Sequence, residues 1–549
     1  MRHAVLLLLT ASAPALAQAR DVGASNAAID RVFAAFSDTL GPGCSVGVSR
    51  NGVAVYERGY GMANLETGTR NSPASIFHVA SVSKQFTAAA IMLLARDGKL
   101  SLDDNIRKYV PEIPDYGTPI TIRHLLTHTS GLRDQWDLIS MARGRFEENR
   151  ITEGDVMDLL TRQKALNFTP GAEFLYSNSG YTVLAVIVKR VTSISLRDFA
   201  DVRIFKPLGM TKTHFHDDYT MIVPGRTSAY ARGRQGGWRV SVPNFDVYGA
   251  TSLFTTVGDL LTWEANFDAP RVGDAAMVAQ MQTMMPLTSG DTSDYGFGLS
   301  IGKYHGYRII DHSGADAGYR SYAGRFPDQR LAIAIACNAS SANTIALAHG
   351  VADVFLPAGV VADSPPPSPK GVQLSASQLR RHAGFYLDPV TVMSVEVSVQ
   401  NGNLVLGHES TPVLIPLSDT RFAVTGETTE LRFLEGDHPG LTMRIPGQRL
   451  QRFEQRPPAP TPTAATLAQY VGEYVSDELA GAVYRITASD STLVFRIGNS
   501  SPLNARMIFA DVFGGWAGNR IQFLRSPTGQ VSGFELTTLR TRRVKFVRR

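Results

Sequence analysis

Cysteine is scarce in this chain: Cys44 and Cys337 are the only two in 549 residues. Two cannot build a disulfide-rich scaffold or a Cys-rich zinc domain. A strong excess of one charge is also missing. Lys and Arg number 54 against 49 Asp and Glu, a net charge of +5. That is too mild for the length to mark a dedicated nucleic-acid binder. Beyond the N-terminus, no run approaches the ~18 uncharged apolar residues of a membrane-spanning helix. Apolar residues are plentiful, at 44% against 19% charged, which excludes a disordered chain. One core does not suffice at this length, because single cores stop growing near ~250–300 residues. Two or three domains are expected.

The first residues read as an export leader. Met1-Arg2-His3 supplies a positive start, Leu6 to Leu9 an unbroken apolar run, and Ala15-Leu16-Ala17 a small-x-small cleavage pattern. Residues 1–17 are expected to be a signal peptide and the mature protein periplasmic or secreted. No cysteine near that point suggests a lipid anchor.

Two Pro-rich stretches, 364–369 and 457–462, divide the remainder, and such runs act as semi-stiff spacers. The expected parts are a front domain over 20–360, a linker at 361–372, a barrel-like module over 373–455, a linker at 456–465 and a second module over 466–549. The two modules look duplicated. Leu379, Gly384 and Tyr386 recur 88 residues later, Leu404-Val405 recurs 89 later, and Phe433-Leu434 recurs 90 later. Alternating runs such as Val395 to Val399, broken at turns such as Asn401-Gly402, read as antiparallel strands of a small barrel or sandwich.

The front domain mixes types. Ile29, Val32, Phe33 and Phe36 have helical spacing, and Cys44 to Tyr56 reads as two strands joined at Asn51-Gly52. Residues 82–97 read as a helix ended by Gly98, with Phe86, Ala89, Ala90 and Leu93 on one face. Strands return at 307–312, 322–326 and 331–336. The expected fold is α+β, an antiparallel sheet flanked by helices and closed by both ends of the domain. Gly43-Cys44-Ser45-Val46-Gly47 matches a nucleophile elbow in letters only, since that motif needs a strand before it and a helix after it.

The chemistry starts at Ser81-Val82-Ser83-Lys84. Positions three apart share a helix face, so the Lys84 amine can reach the Ser81 hydroxyl. A serine hydroxyl needs a base to become a nucleophile, and a desolvated lysine can be that base. The Ser81 N–H lies at the positive end of the helix, where an oxyanion is stabilised. Tyr176-Ser177-Asn178 and His312-Ser313-Gly314 follow in order.

This trio resembles the class C beta-lactamase and penicillin-binding-protein-like serine hydrolases. His124 to Leu132, Pro207-Leu208-Gly209-Met210 and Tyr295-Gly296-Phe297-Gly298 also look like that family. The resemblance covers roughly residues 25–355. It implies a beta-lactamase/transpeptidase-like domain with no cofactor and no metal. Ser81 would be the nucleophile, and Lys84 and Tyr176 would share general-base work. Asn178 would orient Lys84 and the substrate, His312 would close the site electrostatically, and Ser313 would bind substrate beside it. Gly314 would let the substrate backbone lie against its strand. The backbone N–H groups of Ser81 and Ala315 would form the oxyanion hole. Histidine at the third motif, where beta-lactamases of this class carry lysine, resembles D-aminopeptidases, as do two barrel-like tails. The implied function is acyl-enzyme hydrolysis of amide bonds in small peptides, including aminopeptidase action on D-residues. An esterase, a weak beta-lactamase and a non-turnover cell-wall-binding or penicillin-sensing protein are the alternatives. Family topology makes the strands of Cys44 and Cys337 neighbours, which allows a disulfide that spacing alone does not decide. The resemblance also implies a lid from the last module, expected at Phe513 to Gly518 around Trp516.

Three clusters invite functional readings and receive structural ones. His214-Phe215-His216-Asp217-Asp218 lacks a further cluster to complete a metal site, so it reads as a polar loop. His128 reads as a capping or core residue. Arg540, Arg542, Arg543, Lys545, Arg548 and Arg549 could grip an anionic polymer but read as a solvated strand face.

Overall fold

The computed structural model describes residues 25–37, 40–144, 149–356, 371–407, 413–425, 429–445, 449–498 and 500–549. The expected leader at 1–17 and residues 361–370 of the expected first linker lie outside them.

The two ends of the front domain build one sheet between them. Strand β1 (Cys44–Arg50) turns through Asn51 and Gly52, both at positive φ, into β2 (Val53–Tyr60). Strands β3 (Ser300–Tyr304), β4 (Tyr307–Asp316), β5 (Tyr319–Phe326) and β6 (Leu331–Cys337) form a meander. The order is β3-β4-β5-β6-β1-β2, antiparallel throughout. Cys44 stands opposite Cys337 across β1 and β6, and the two form a disulfide.

Strand β6 shows the two faces of the sheet. Leu331, Ile333, Ile335 and Cys337 pack with Ile29, Phe33 and Val351, whereas Ala332, Ala334 and Ala336 join the core of Leu260, Leu261 and Trp263. A strand covered on both sides is apolar throughout, and its period of two sorts the residues by size. The small side chains let a helix approach closely. Gly47 of β1 does the same, since a Cβ there would lie 2.9 Å from Leu261 Cδ1.

Five helices matter for the site: α1 (Ser83–Arg96), α2 (Gln135–Arg143), α3 (Asn178–Thr192), α4 (Val257–Asp268) and α5 (Thr344–Phe355). Helix α1 differs from the one-faced helix its spacing predicts. Every residue from Ser83 to Leu94 is buried, because α1 is the central helix of its layer, and such a helix is covered on all sides. It also starts later than expected. Ser81 lies in a single 3₁₀ turn, Ala80–Val82, that feeds α1.

Each tail closes into an eight-stranded antiparallel barrel, over 384–456 and 472–548. The duplication is visible in detail. Leu379 and Leu467 sit on matching short helices. The Tyr386 and Tyr474 hydroxyls each donate to the carbonyl four residues back, both at 2.8 Å. The barrels dock differently. The core of the second, around Tyr474, Tyr484 and Phe534, runs on into that of the catalytic domain, while Phe422 and Phe433 of the first form a separate cluster. A buried Arg133–Glu478 ion pair at 2.6 Å and a bond from Tyr484 Oη to Met141 O at 2.9 Å lie at the second barrel's junction.

Candidate active site

The turn that carries Ser81 is strained and held. Ala80 sits at a φ of 46°, a left-handed conformation that costs a non-glycine residue ~1–3 kcal/mol. Its N–H donates to His78 Nδ1 at 3.1 Å, and its carbonyl accepts from Ser83 Oγ at 2.5 Å. Gly314 of β4 lies against this turn: a Cβ would stand 2.3 Å from Val79 O. The space that a side chain would take at Gly314 is therefore filled by the enzyme's own backbone.

Lys84 is fully buried on α1. Its Nζ lies 3.0 Å from Ser81 Oγ, 2.9 Å from Asn178 Oδ1 and 2.6 Å from the Ala250 carbonyl. Two of these partners are carbonyl oxygens, which only accept. A neutral amine meets the set with nothing left over: its two hydrogens go to Asn178 and Ala250, and its lone pair faces the Ser81 hydroxyl. Burial pushes the Lys84 pKa down to about 7, against the pull of the Asp316 and Asp134 charges, and Arg540 adds to the fall. A base is thus available near neutral pH.

Asn178 opens α3 and is itself held. Asp134 Oδ2 accepts from the Asn178 N–H at 2.7 Å and from Nδ2 at 2.8 Å, which leaves Oδ1 for Lys84. Tyr176 stands two residues earlier, with its ring 4.9 Å from Lys84 Nζ. Burial pushes its pKa up, with Ser81 and Arg540 pulling the other way. Its resting form is a phenol, which can carry a proton, while the desolvated Lys84 amine is the group able to act as a base. His128 packs on the Tyr176 ring at 4.2 Å and accepts from the Ser177 N–H at 3.1 Å through Nδ1.

His312 carries no charge into the site. Burial and the nearby Lys84 depress its pKa to about 3. Its Nδ1 faces the Ser313 carbonyl at 2.6 Å and must donate, so Nε2 accepts from the Tyr295 hydroxyl at 2.8 Å. The expectation that His312 closes the site electrostatically is corrected: it is a neutral hydrogen-bonding wall. Ser313, Gly314 and Ala315 follow along β4 and line the same cleft of about 930 Å³ as Ser81, Tyr176, Asn178 and His312.

The last module reaches that cleft, but not where expected. Trp516 packs on Phe495 of its own barrel at 5.7 Å. The segment that reaches over joins the strands Val531–Thr537 and Val544–Arg548, and its Arg540 lies over the Tyr176 ring at 4.9 Å. Arg542 pairs with Glu173 at 2.9 Å. The solvated-face reading therefore fails for Arg540 and Arg542, because the catalytic domain covers them.

Asp134, Ala250 and Asp316 were missed in the sequence because no motif marks them, and Arg540 was read there as part of a solvated face. Asp134 has the one local signal, an acidic residue capping α2 through Trp136 N. His214 Nε2 and His216 Nδ1 lie 3.4 Å apart. Among the described residues no group of three or more His, Cys, Asp or Glu could hold a metal ion.

A serine one helical turn from a desolvated lysine, with a buried tyrosine beside them on this sheet-and-helix frame, defines a serine hydrolase. The chain belongs to the Beta-lactamase family, whose profile matches residues 29–354. It is 26% identical over 444 residues to a D-aminopeptidase of Gluconobacter oxydans (strain 621H), covering 80% of each chain. In shape it is similar to an octameric penicillin-binding protein homologue from Pyrococcus abyssi, with a TM-score of 0.54 and 23% identity over 79% of this chain and 100% of the other. It is also similar to a D-amino acid amidase from Ochrobactrum anthropi SV3 solved with L-phenylalanine amide, with a TM-score of 0.51 and 22% identity over 60% and 98%. At those identities the two likenesses are of fold.

Proposed function

We propose that the chain is an exported serine hydrolase that cleaves amide bonds of small peptides through an acyl-enzyme, as an aminopeptidase accepting D-residues. The carrying observation is the Lys84 amine, committed by Asn178 and Ala250 so that its lone pair faces Ser81. Lys84 takes the Ser81 proton as Oγ attacks the carbonyl. The oxyanion rests on the N–H groups of Ser81 and Ala315. When the C–N bond breaks, Tyr176 gives its proton to the leaving amine and regains one from the Lys84 ammonium. Water then attacks the ester by the same proton path, and Ser81 is restored.

The D-aminopeptidase relative supports the peptide class. Neutral His312, standing where beta-lactamases of this class carry a cation, weighs against efficient beta-lactam hydrolysis. Export draws on the leader composition and on the Cys44–Cys337 disulfide, since such bonds persist in oxidising compartments. The test is a screen of purified protein against D- and L-aminoacyl anilides, short-chain esters and nitrocefin. Turnover of D-aminoacyl anilides with little on nitrocefin is expected. Acylation without turnover on every substrate would make the chain a sensing protein instead.

A further inference from the structure

The loop that reaches the cleft is pinned by contacts that leave one group unspent. Thr538 Oγ1 donates to Asp137 Oδ2 at 2.5 Å, and the Arg540 N–H donates to the same oxygen at 3.2 Å. Asn167 Nδ2 donates to the Arg540 carbonyl at 2.9 Å, and the Asp134 N–H donates to Thr541 Oγ1 at 3.1 Å. None of these uses the Arg540 guanidinium. Among the described residues it has no hydrogen bond or ion pair, and it faces the Tyr176 ring at the wall of the cleft. The acids nearby are engaged elsewhere, Asp137 by Thr538 and the loop backbone, Asp316 by Thr251 Oγ1. A guanidinium with free donors, carried on a pinned loop, suits a planar anion such as a carboxylate.

Its position assigns a side of the substrate. Tyr176 is the group that protonates the departing amine, so the guanidinium above its ring flanks the leaving residue. Beyond Arg540 a further cavity of about 310 Å³ opens between Trp136, Pro243 and Phe245, with room for that residue's side chain.

Resting on the amide-hydrolase reading above, the geometry points to a carboxylate subsite at Arg540 that takes the free α-carboxylate of the leaving residue. The substrates are then short peptides whose departing residue is the C-terminal one, with a dipeptide as the smallest. A longer chain, or an amide at that end, lacks the partner.

The test measures binding, so that it stands apart from turnover. In the full chain carrying Ser81→Ala, calorimetry compares D-alanyl-D-alanine and D-alanyl-L-alanine, each as free acid and as C-terminal amide. The acid of at least one is expected to bind roughly tenfold or more tighter than its amide, as charged hydrogen bonds allow. Adding Arg540→Ala brings that ratio to near one, and Arg540→Lys keeps part of it. A ratio taken within one variant is insensitive to a general loss of fold. An equal ratio with and without Arg540, or no preference for the acid, overturns the subsite. Succinyl-alaninamide carries its carboxylate on the acyl side; Arg540-dependent binding of that probe in place of the dipeptide acids overturns the assignment to the leaving residue. Failure of the anilide screen with an intact acid-to-amide ratio would sink the hydrolase reading alone.

Discussion

With Lys84 proposed as the base, its titration is expected to set the pH dependence. Its depressed pKa, about 7, makes the neutral amine the majority form above that pH and the ammonium the majority below it. With Lys84 as the base, kcat/KM is expected to fall about tenfold per pH unit below pH 7 and to level off above it. Asp316 raises the Lys84 pKa. Asp316→Asn removes that charge, destabilises the ammonium and shifts the acidic limb to lower pH. A limb that stays put in this variant would show that another group titrates. Tyr176→Phe is expected to lower kcat by ~10²–10⁴-fold with little change in KM, the range for lost acid–base help. Steady-state kinetics on an anilide would read both values, and an unchanged kcat would leave Tyr176 a structural ring. The residues with motif spacing were legible in the sequence because the covalent chain itself sets Ser81 three positions from Lys84. Asp134 and Ala250 were not legible. Ala250 meets Lys84, and Asp134 meets the Asn178 that holds it, only after separate segments pack together, and no local pattern records that meeting.

At the scale of elements, the sheet was legible through the strands placed at both ends of the domain and through the Asn51-Gly52 turn. The burial of α1 on every side was not, because apolar spacing marks a face and says nothing of what covers the remainder. The pairing of β1 with β6 joins the first strand of the domain to the last of its sheet, and the disulfide locks that pairing across a separation of 293 residues. Replacing both cysteines by alanine is expected to cost ~2–5 kcal/mol, the usual range for a native disulfide. Urea unfolding followed at the catalytic domain would show an earlier midpoint, while the site chemistry of the folded protein persists. An unchanged midpoint would mean that strand pairing alone holds the two ends together.

At the scale of the whole molecule, the second barrel reaches the cleft with Arg540, while the first meets the catalytic domain through the ion pairs Arg444–Asp291 and Arg449–Glu173. The duplication was legible at offsets of 88 to 90 residues, yet it could not tell which copy reaches the cleft. That difference lies in Glu478, which meets Arg133 in a buried pair, and in the loop from Thr538 to Arg542. Glu478→Ala leaves Arg133 buried without its charge partner, a loss of ~3–5 kcal/mol. The variant is expected to melt earlier and to lose activity in step, as Arg540 shifts from the cleft. Full activity in a folded, less stable variant would make the barrel a passive neighbour. The most direct measurement of all is the intact mass of the full chain, quenched in acid within the first turnover of an activated ester. A Ser81 acyl-enzyme predicts a mass increase of one acyl group, located to the peptide containing Ser81 and absent in Ser81→Ala. Hydrolysis of the ester with no adduct, or with an adduct on another residue, would contradict it.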